Sequence, residues 1–329
     1  MPITIEDILE KLERGESLVG EGLRGLCFEK ARVEGSSFSA CNFSSSYFMK
    51  AALKACRFER CIFDGCDLGY AELDESVFVS SRFHGARLSH ACLAGAVFEN
   101  ADLAEAKLES VGLAGVSLRA TCIRDSVLRD LDFSAAELLD DVDFSEGDLD
   151  AVLFTDISST GLSFRDGSLR LVSFLGSRLE ECDFQGCRLA RVNFDGAKGA
   201  GLVFTAARIG ASTFRYSEFT DSDFSGARFS DADLRDVSMV STNMSSCCFE
   251  PDCRFTGARL EGCDLSGAVF DGVDLRGASL RGSNLRTASL PWRYARGLRA
   301  YRRRSRGRPP GRLRPPRSLF KERRRQASR

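Results

Sequence analysis

The 329-residue chain contains only two histidines, His84 and His90. That supply leaves little material for acid–base catalysis or metal ligation. No uninterrupted apolar stretch approaches the ~18 residues that a membrane-crossing helix requires, which argues against a spanning protein. There is no C-x-x-C pair, no D-x-D-x-D-G loop, no Walker A sequence and no G-x-S-x-G. The usual zinc, calcium, nucleotide and serine-hydrolase patterns are therefore missing, and no cofactor is expected. Proline is scarce. Of seven, Pro309, Pro310, Pro315 and Pro316 stand close to the C-terminus. The first residues carry Glu6, Asp7, Glu10 and Glu13, unlike a secretory signal. A cytoplasmic location is expected, with signal-independent export as the alternative.

The formal net charge of −1 conceals a division. Residues 291–329 hold 16 Lys and Arg against one acid, Glu322, so the remainder carries a net charge of −16. The protein reads as an acidic body with a basic tail.

What fills the body is a repeat of five. A large apolar residue recurs at Leu23, Phe28, Val33, Phe38, Phe43, Phe48, Leu53, Phe58 and onward. Of 25 phenylalanines, 24 fall on this position. Two residues earlier lies a small one, such as Cys56, Cys61, Cys66 or Ala71, with a polar residue between. The in–out–in triplet is strand alternation, and the next two residues are polar or Gly, which suits a corner. A helix would carry a five-residue period around its axis, because five residues make about 1.4 turns. A coil with one unit per side keeps every large residue inside. Identities repeat at every fourth unit, as in Phe38, Phe58, Phe78, Phe98 and in Leu53, Leu73, Leu93, Leu113. Four units per turn is the economical solution.

The triplets Ala71-Glu72-Leu73, Ala101-Asp102-Leu103, Ala232-Asp233-Leu234 and Ser283-Asn284-Leu285 resemble the A(D/N)LXX motif of pentapeptide-repeat proteins. The resemblance covers residues 18–290 and implies an all-β fold, a right-handed quadrilateral β-helix. The count of units gives about 14 coils, and strand spacing gives a rod on the order of 65 Å long. Three segments are expected: a capping helix within 1–17, the β-helix over 18–290, and an Arg/Pro-rich tail over 291–329.

The ends and defects follow from the same reading. Thr4 with Asp7 forms a capping box, Ile5, Ile8, Leu9 and Leu12 share one helix face, and Gly15 stops the helix. Trp292, Tyr294, Leu298 and Tyr301 fit a short terminal helix ahead of a disordered, Arg-rich run. The period slips by one residue at Leu138–Phe144 and again at Phe249–Phe255, and the large residue is missing at Ser159 and Gly199, which predicts a thin coil. Gly20-Glu21-Gly22-Leu23-Arg24-Gly25 fits G-x-G-x-x-G. It follows a helix and leads into the repeat, so it carries no dinucleotide expectation. Nine of 13 cysteines take the small inward position and read as core. Cys41 and Cys61 should stack one coil apart as reduced thiols.

Two candidate sites remain, both charged. The first is an acidic interaction patch of Asp140, Asp141, Asp143, Glu146, Asp148, Asp150 and Asp156. The second is the basic tail, with Arg302, Arg303, Arg304, Arg306, Arg308, Arg323, Arg324 and Arg325. A rod without a concave pocket points to a non-enzymatic protein–protein interaction scaffold. The opening Gly15-Glu16-Ser17-Leu18-Val19-Gly20 is similar to accessory modules of type VI secretion loci, which implies a secretion-spike or adaptor partner. Other family members mimic DNA and bind gyrase, which implies a topoisomerase partner as an alternative. The tail would supply non-specific, salt-sensitive contact with nucleic acid or another anionic surface.

Overall fold

One left-handed residue in each five-residue unit turns the chain. Lys30, Gly35, Ala40, Ser45 and Lys50 have φ of 59°, 66°, 52°, 60° and 58°, and the series continues at nearly every corner. A non-glycine residue in this region costs about 1 kcal/mol, and the cost is carried because each turn returns a large side chain to the core. In this computed structural model, residues 4–290 are described. The expected terminal helix around Trp292 and the tail arginines from Arg302 to Arg325 lie outside the described residues.

The result is a parallel β-solenoid with four sides. We number the sides by the large residue each buries: first through Leu18, second through Leu23, third through Phe28, fourth through Val33. Along the first side a 12-stranded parallel sheet runs from Leu18–Val19 to Ser238–Val240, and bridges extend it to Arg259 and Ser279. The register advances by four units per coil, as in Phe38↔Phe58↔Phe78↔Phe98. The third side carries an eight-stranded sheet from Lys107–Glu109 to Cys248–Phe249. The second and fourth sides are joined by single bridges, for example Asn42↔Ile62↔Arg82 and Arg32↔Ala52↔Glu72.

The motif's Asp or Asn has a local cause. On bridged sides its side-chain oxygen accepts the backbone N–H two residues on: Asp67 from Gly69 (3.0 Å), Asp102 from Ala104 (3.0 Å), Asp183 from Gln185 (2.8 Å), Asp223 from Ser225 (2.7 Å). These are Asx turns that open each corner. The N–H of the next unit then returns to the large residue's carbonyl, as in Ser46 to Phe43 (2.9 Å).

The core is a continuous column of buried side chains, with 24 phenylalanines on the inward position. Rings stack at coil spacing, with Phe58 and Phe78 centroids 5.0 Å apart and 4° from parallel. Neighbouring sides meet edge to face, as Phe58 does with Phe63 at 5.1 Å and 79°. At the N-terminal end a helix, α1 (Ile5–Glu13), is capped by Thr4 and Asp7 in a reciprocal box and buries Ile8 and Leu12 in the same cluster. Gly15 ends it at φ 74°, and Lys11 reaches Glu21 at 3.7 Å.

Two expectations about the defects need revision. The first slip lies one unit earlier than Leu138–Phe144. Leu138 is 39% exposed while Leu139 is 3% exposed and pairs with Leu118, so the six-residue step runs from Phe133 to Leu139. Two adjacent leucines satisfy the period equally in sequence. The extra residue is accommodated at the corner, and Leu139 keeps the column. The second slip stands at Phe249–Phe255, with Pro251 and Asp252 in the turn. At Ser159 and Gly199 the missing bulk is supplied three residues on by Leu162 and Leu202, both fully buried at the normally small position. A Cβ on Gly199 would lie 3.0 Å from Leu202 Cδ1 and collide with the Leu179 carbonyl. Hydrogen bonding continues through both coils, with a shallow dent of about 260 Å³ over Ser159.

Candidate interaction surface

Residues that are neighbours in sequence are dispersed around the rod, because one coil consumes four units. The acidic stretch shows the consequence. Asp140 projects from the first side, Asp143 from the second, and Asp148 and Asp150 from the third. Asp141, Glu146 and Asp156 occupy three different corners, with φ of 50°, 60° and 56°. The seven acids form a belt and share no single side.

Most of the belt is engaged with the solenoid itself. Arg119 pairs with Asp140 (3.6 Å), Arg124 with Asp143 (3.7 Å) and with Glu146, Arg129 with Asp148, and Arg170 with Asp150. Asp143 also accepts the Ser145 N–H at 3.0 Å. Asp141 and Asp156 lie against Gly161 and Gly176 one coil on, where any Cβ would strike the carboxylate. Glycine at those two positions therefore seats the acid above it. The second oxygen of Asp150 is buried without a partner among the described residues. Exposed pairs of this kind contribute roughly 0–1 kcal/mol each.

Elsewhere, polar ladders follow the coil spacing. On the second side Asn243 donates to Asp223 (3.1 Å) and Asn284 to Asp264 (2.9 Å). The Asp264 carboxyl is held below its usual range by the Ser266 backbone N–H and hydroxyl, and Asp274 by the Arg276 guanidinium. At one corner Tyr70 stacks on His90 at 4.7 Å, with Lys50 6.0 Å from the tyrosine ring.

The nine inward cysteines are buried and free. Burial pushes the thiols of Cys66, Cys182, Cys187 and Cys247 up to about 12, which makes them poor nucleophiles. Cys41 and Cys61 interact one coil apart. The hydrogen bond between them draws Cys41 down to about 7 and pushes Cys61 up, so the pair titrates as a unit.

One column escapes a reading by sequence segment. Arg188, Arg208 and Arg228 stand four units apart in sequence and are adjacent in space on the third side, in register. They border a trough of about 430 Å³. The signal was available as a recurrence at every fourth unit in an outward position, but it is invisible to a search for local charge runs. Among the described residues no group of three or more His, Cys, Asp or Glu is placed to hold a metal ion, and no helix is long and apolar enough to cross a membrane.

Stacked coils, flat sides and an apolar interior define a class: repeat solenoids, in which each coil packs only on its neighbours. The chain belongs to the pentapeptide repeat family, whose model "Pentapeptide repeats" matches in overlapping copies that together cover residues 27–119, 173–215, 217–250 and 252–290. Among solved structures it is similar to HetL, a pentapeptide repeat protein involved in heterocyst differentiation regulation from the cyanobacterium Nostoc, at 20% identity over 88% of this chain and 95% of that one, with a TM-score of 0.31. It is also similar to the pentapeptide repeat protein Rfr23 from the cyanobacterium Cyanothece, at 22% identity, 36% and 94% coverage and a TM-score of 0.26. A third is QnrB1, a plasmid-mediated fluoroquinolone resistance protein, at 18% identity, 80% and 93% coverage and a TM-score of 0.22. The comparison with curated proteins gave no match.

Proposed function

We propose that this protein is a non-enzymatic scaffold that binds another protein along its sides. The observation that carries the reading is the uninterrupted first side, a 12-stranded sheet whose outward residues stand in register from end to end. Such a side offers a long, flat, polar surface at fixed spacing. Its concave features are shallow, so a partner would be recognised by extended contact and not by enclosure. The finer identity we favour is an accessory module of a secretion locus, with a spike or adaptor component as partner. A pull-down with the full chain tests it. The expected result is one reproducible protein partner whose capture is lost when outward residues of a side are charge-reversed. Recovery of no reproducible partner would refute the reading.

Mimicry of DNA for a topoisomerase is the weaker alternative. It needs an unbroken acidic surface, whereas the acids of the belt are paired with Arg119, Arg124, Arg129 and Arg170. We expect gyrase supercoiling to be unaffected by excess protein. Contact of the tail with nucleic acid or an anionic surface is a separate proposal, tested by whether removal of residues 291–329 abolishes salt-sensitive binding to DNA.

A further inference from the structure

Three arginines on the third side form a single column. Arg188 lies opposite Arg208, and Arg208 opposite Arg228. At strand spacing the column is about 10 Å long. All three are exposed, and none has an ion pair or side-chain hydrogen bond among the described residues. Like charges placed opposite one another on adjacent strands oppose pairing. Some arginines elsewhere meet an acid one coil away, as Arg129 does with Asp148 and Arg215 with Asp195. This column has no such internal compensation.

The surroundings of the column are small and smooth. Gly186, Ala206 and Gly226 precede it at the corner, and Ala190, Gly210 and Ser230 follow it on the strands. Ala190, Gly210 and Ser230 line the trough of about 430 Å³, which ends at Glu250. At its other end, Arg170 stands in register with Ala190 and is held by Asp150.

We infer that this trough binds an acidic segment of a partner protein, extended along the rod axis with its carboxylates on the three guanidinium groups. The inference rests on the scaffold reading and specifies the partner's chemistry. The planar, five-donor guanidinium matches a carboxylate bidentately. Acids on alternate residues of an extended strand stand about 6.7 Å apart, so three span about 13 Å, within reach of three long side chains on a column of about 10 Å. The small flanking residues leave room for the peptide backbone. A nucleic acid fits less well. Asp166 lies against Gly186, Glu250 closes the trough and Asp231 follows Ser230 at the corner, and these acids would repel a phosphate backbone that continues past three arginines.

The test uses the full chain and a fluorescent peptide of alternating glutamate and glycine that bears a benzophenone, so that binding and location are read together. The basic tail will also attract this peptide, and mapping the cross-links separates the two. Adducts are expected within residues 186–231, with binding that weakens as salt rises. The triple charge reversal R188E/R208E/R228E should reduce those adducts at least about tenfold while tail adducts persist. Replacing all three by Lys, which keeps charge but loses the fork, should weaken binding by about three- to tenfold. The reversal R57E on the first side should change nothing, and R208Q serves if the triple reversal perturbs folding. Adducts confined to 291–329, or unchanged by the triple reversal, would overturn the proposal. So would single-stranded DNA displacing the peptide from 186–231 more effectively than an unlabelled acidic peptide. If the trough fails while a pull-down still yields a partner, this inference falls and the scaffold reading survives.

Discussion

Residues 18–98 and 133–249 follow the same path and fill it differently. In the first stretch the longest phenylalanine stacks lie on two adjacent sides, with Phe38, Phe58, Phe78 and Phe98 beside Phe43, Phe63 and Phe83, and Phe28 stacks on Phe48 on the third side. In the second the longest stacks lie on opposite sides, with Phe144, Phe164, Phe184 and Phe204 facing Phe154, Phe174 and Phe194, and Phe229 stacks on Phe249 on the third side only at its end. Opposed rings meet edge to face across the interior, as Phe164 and Phe174 do at 5.5 Å. Strand pairing shifts with them. The early coils have strands on the first side alone, whereas from Lys107 onward the third side is a sheet as well. Between the two stacks, Leu103, Leu108, Leu113, Leu118, Ile123 and Leu128 fill the core without an aromatic ring, and the slip from Phe133 to Leu139 follows. A square coil thus accepts more than one distribution of bulk. An aliphatic junction joins the two.

If the stacks are separate, damage to one should stay local. Phe63→Ala and Phe174→Ala each remove a fully buried ring that has stacked neighbours above and below. Each should cost about 3–5 kcal/mol in denaturant unfolding. Hydrogen exchange should accelerate mainly in the stretch that carries the substitution. Equal acceleration in both stretches would mean the junction transmits the loss and the division is artificial.

The exchange of bulk around Gly199 sharpens the comparison at the next level. Gly199→Ala drives a Cβ into the Leu179 carbonyl and against Leu202, and should cost about 1–3 kcal/mol by overpacking. Gly210→Ala meets nothing nearer than Ser230 Oγ at 3.4 Å and should be close to neutral. The pair is read by thermal melts of the two variants.

Turn chemistry and surface pairing should also separate. Asp223→Ala removes the acceptor for the Ser225 N–H and for Asn243, and should cost about 1 kcal/mol. Asp148→Ala removes an exposed pair with Arg129 and should cost no more than about 0.5 kcal/mol. Similar losses in denaturant titrations would deny the Asx turns their structural role.

The smallest effect is acid sensitivity at the C-terminal coils. Asp264 and Asp274 have folded-state pKa values below the ordinary 3.8. Their contribution is therefore present above 3.8 and is lost as pH falls through the folded values. Hydrogen exchange corrected for intrinsic rates should show residues 255–290 loosening below pH ~3.8 before residues 144–204 do. The reverse order would contradict the assignment.

The period of five, the columns at every fourth unit, the capping box and the buried cysteines were legible in the sequence, because each is a local pattern tied to burial. The position of the first slip was not. Leu138 and Leu139 are chemically equivalent, and only stacking on Leu118 selects between them. The substitution of Leu162 and Leu202 for the missing bulk at Ser159 and Gly199 was hidden because it moves the large residue to another inward position. The acidic stretch forms a patch only if proximity in sequence is equated with proximity in space, whereas here it runs around the circumference. Arg188, Arg208 and Arg228 present the converse, three residues distant in sequence and adjacent on one side.

All of this depends on coils of four units stacked in register. Pulsed dipolar spectroscopy between spin-labelled unnatural residues at Ser117 and Ser238, and at Ser158 and Ser238, measures that directly. The first pair lies six levels apart on the first side and the second pair four. Backbone separations of about 29 Å and about 19 Å are expected, in the ratio of three to two. Two broad distributions, or separations that do not scale with the number of coils, would contradict the stacked square coil.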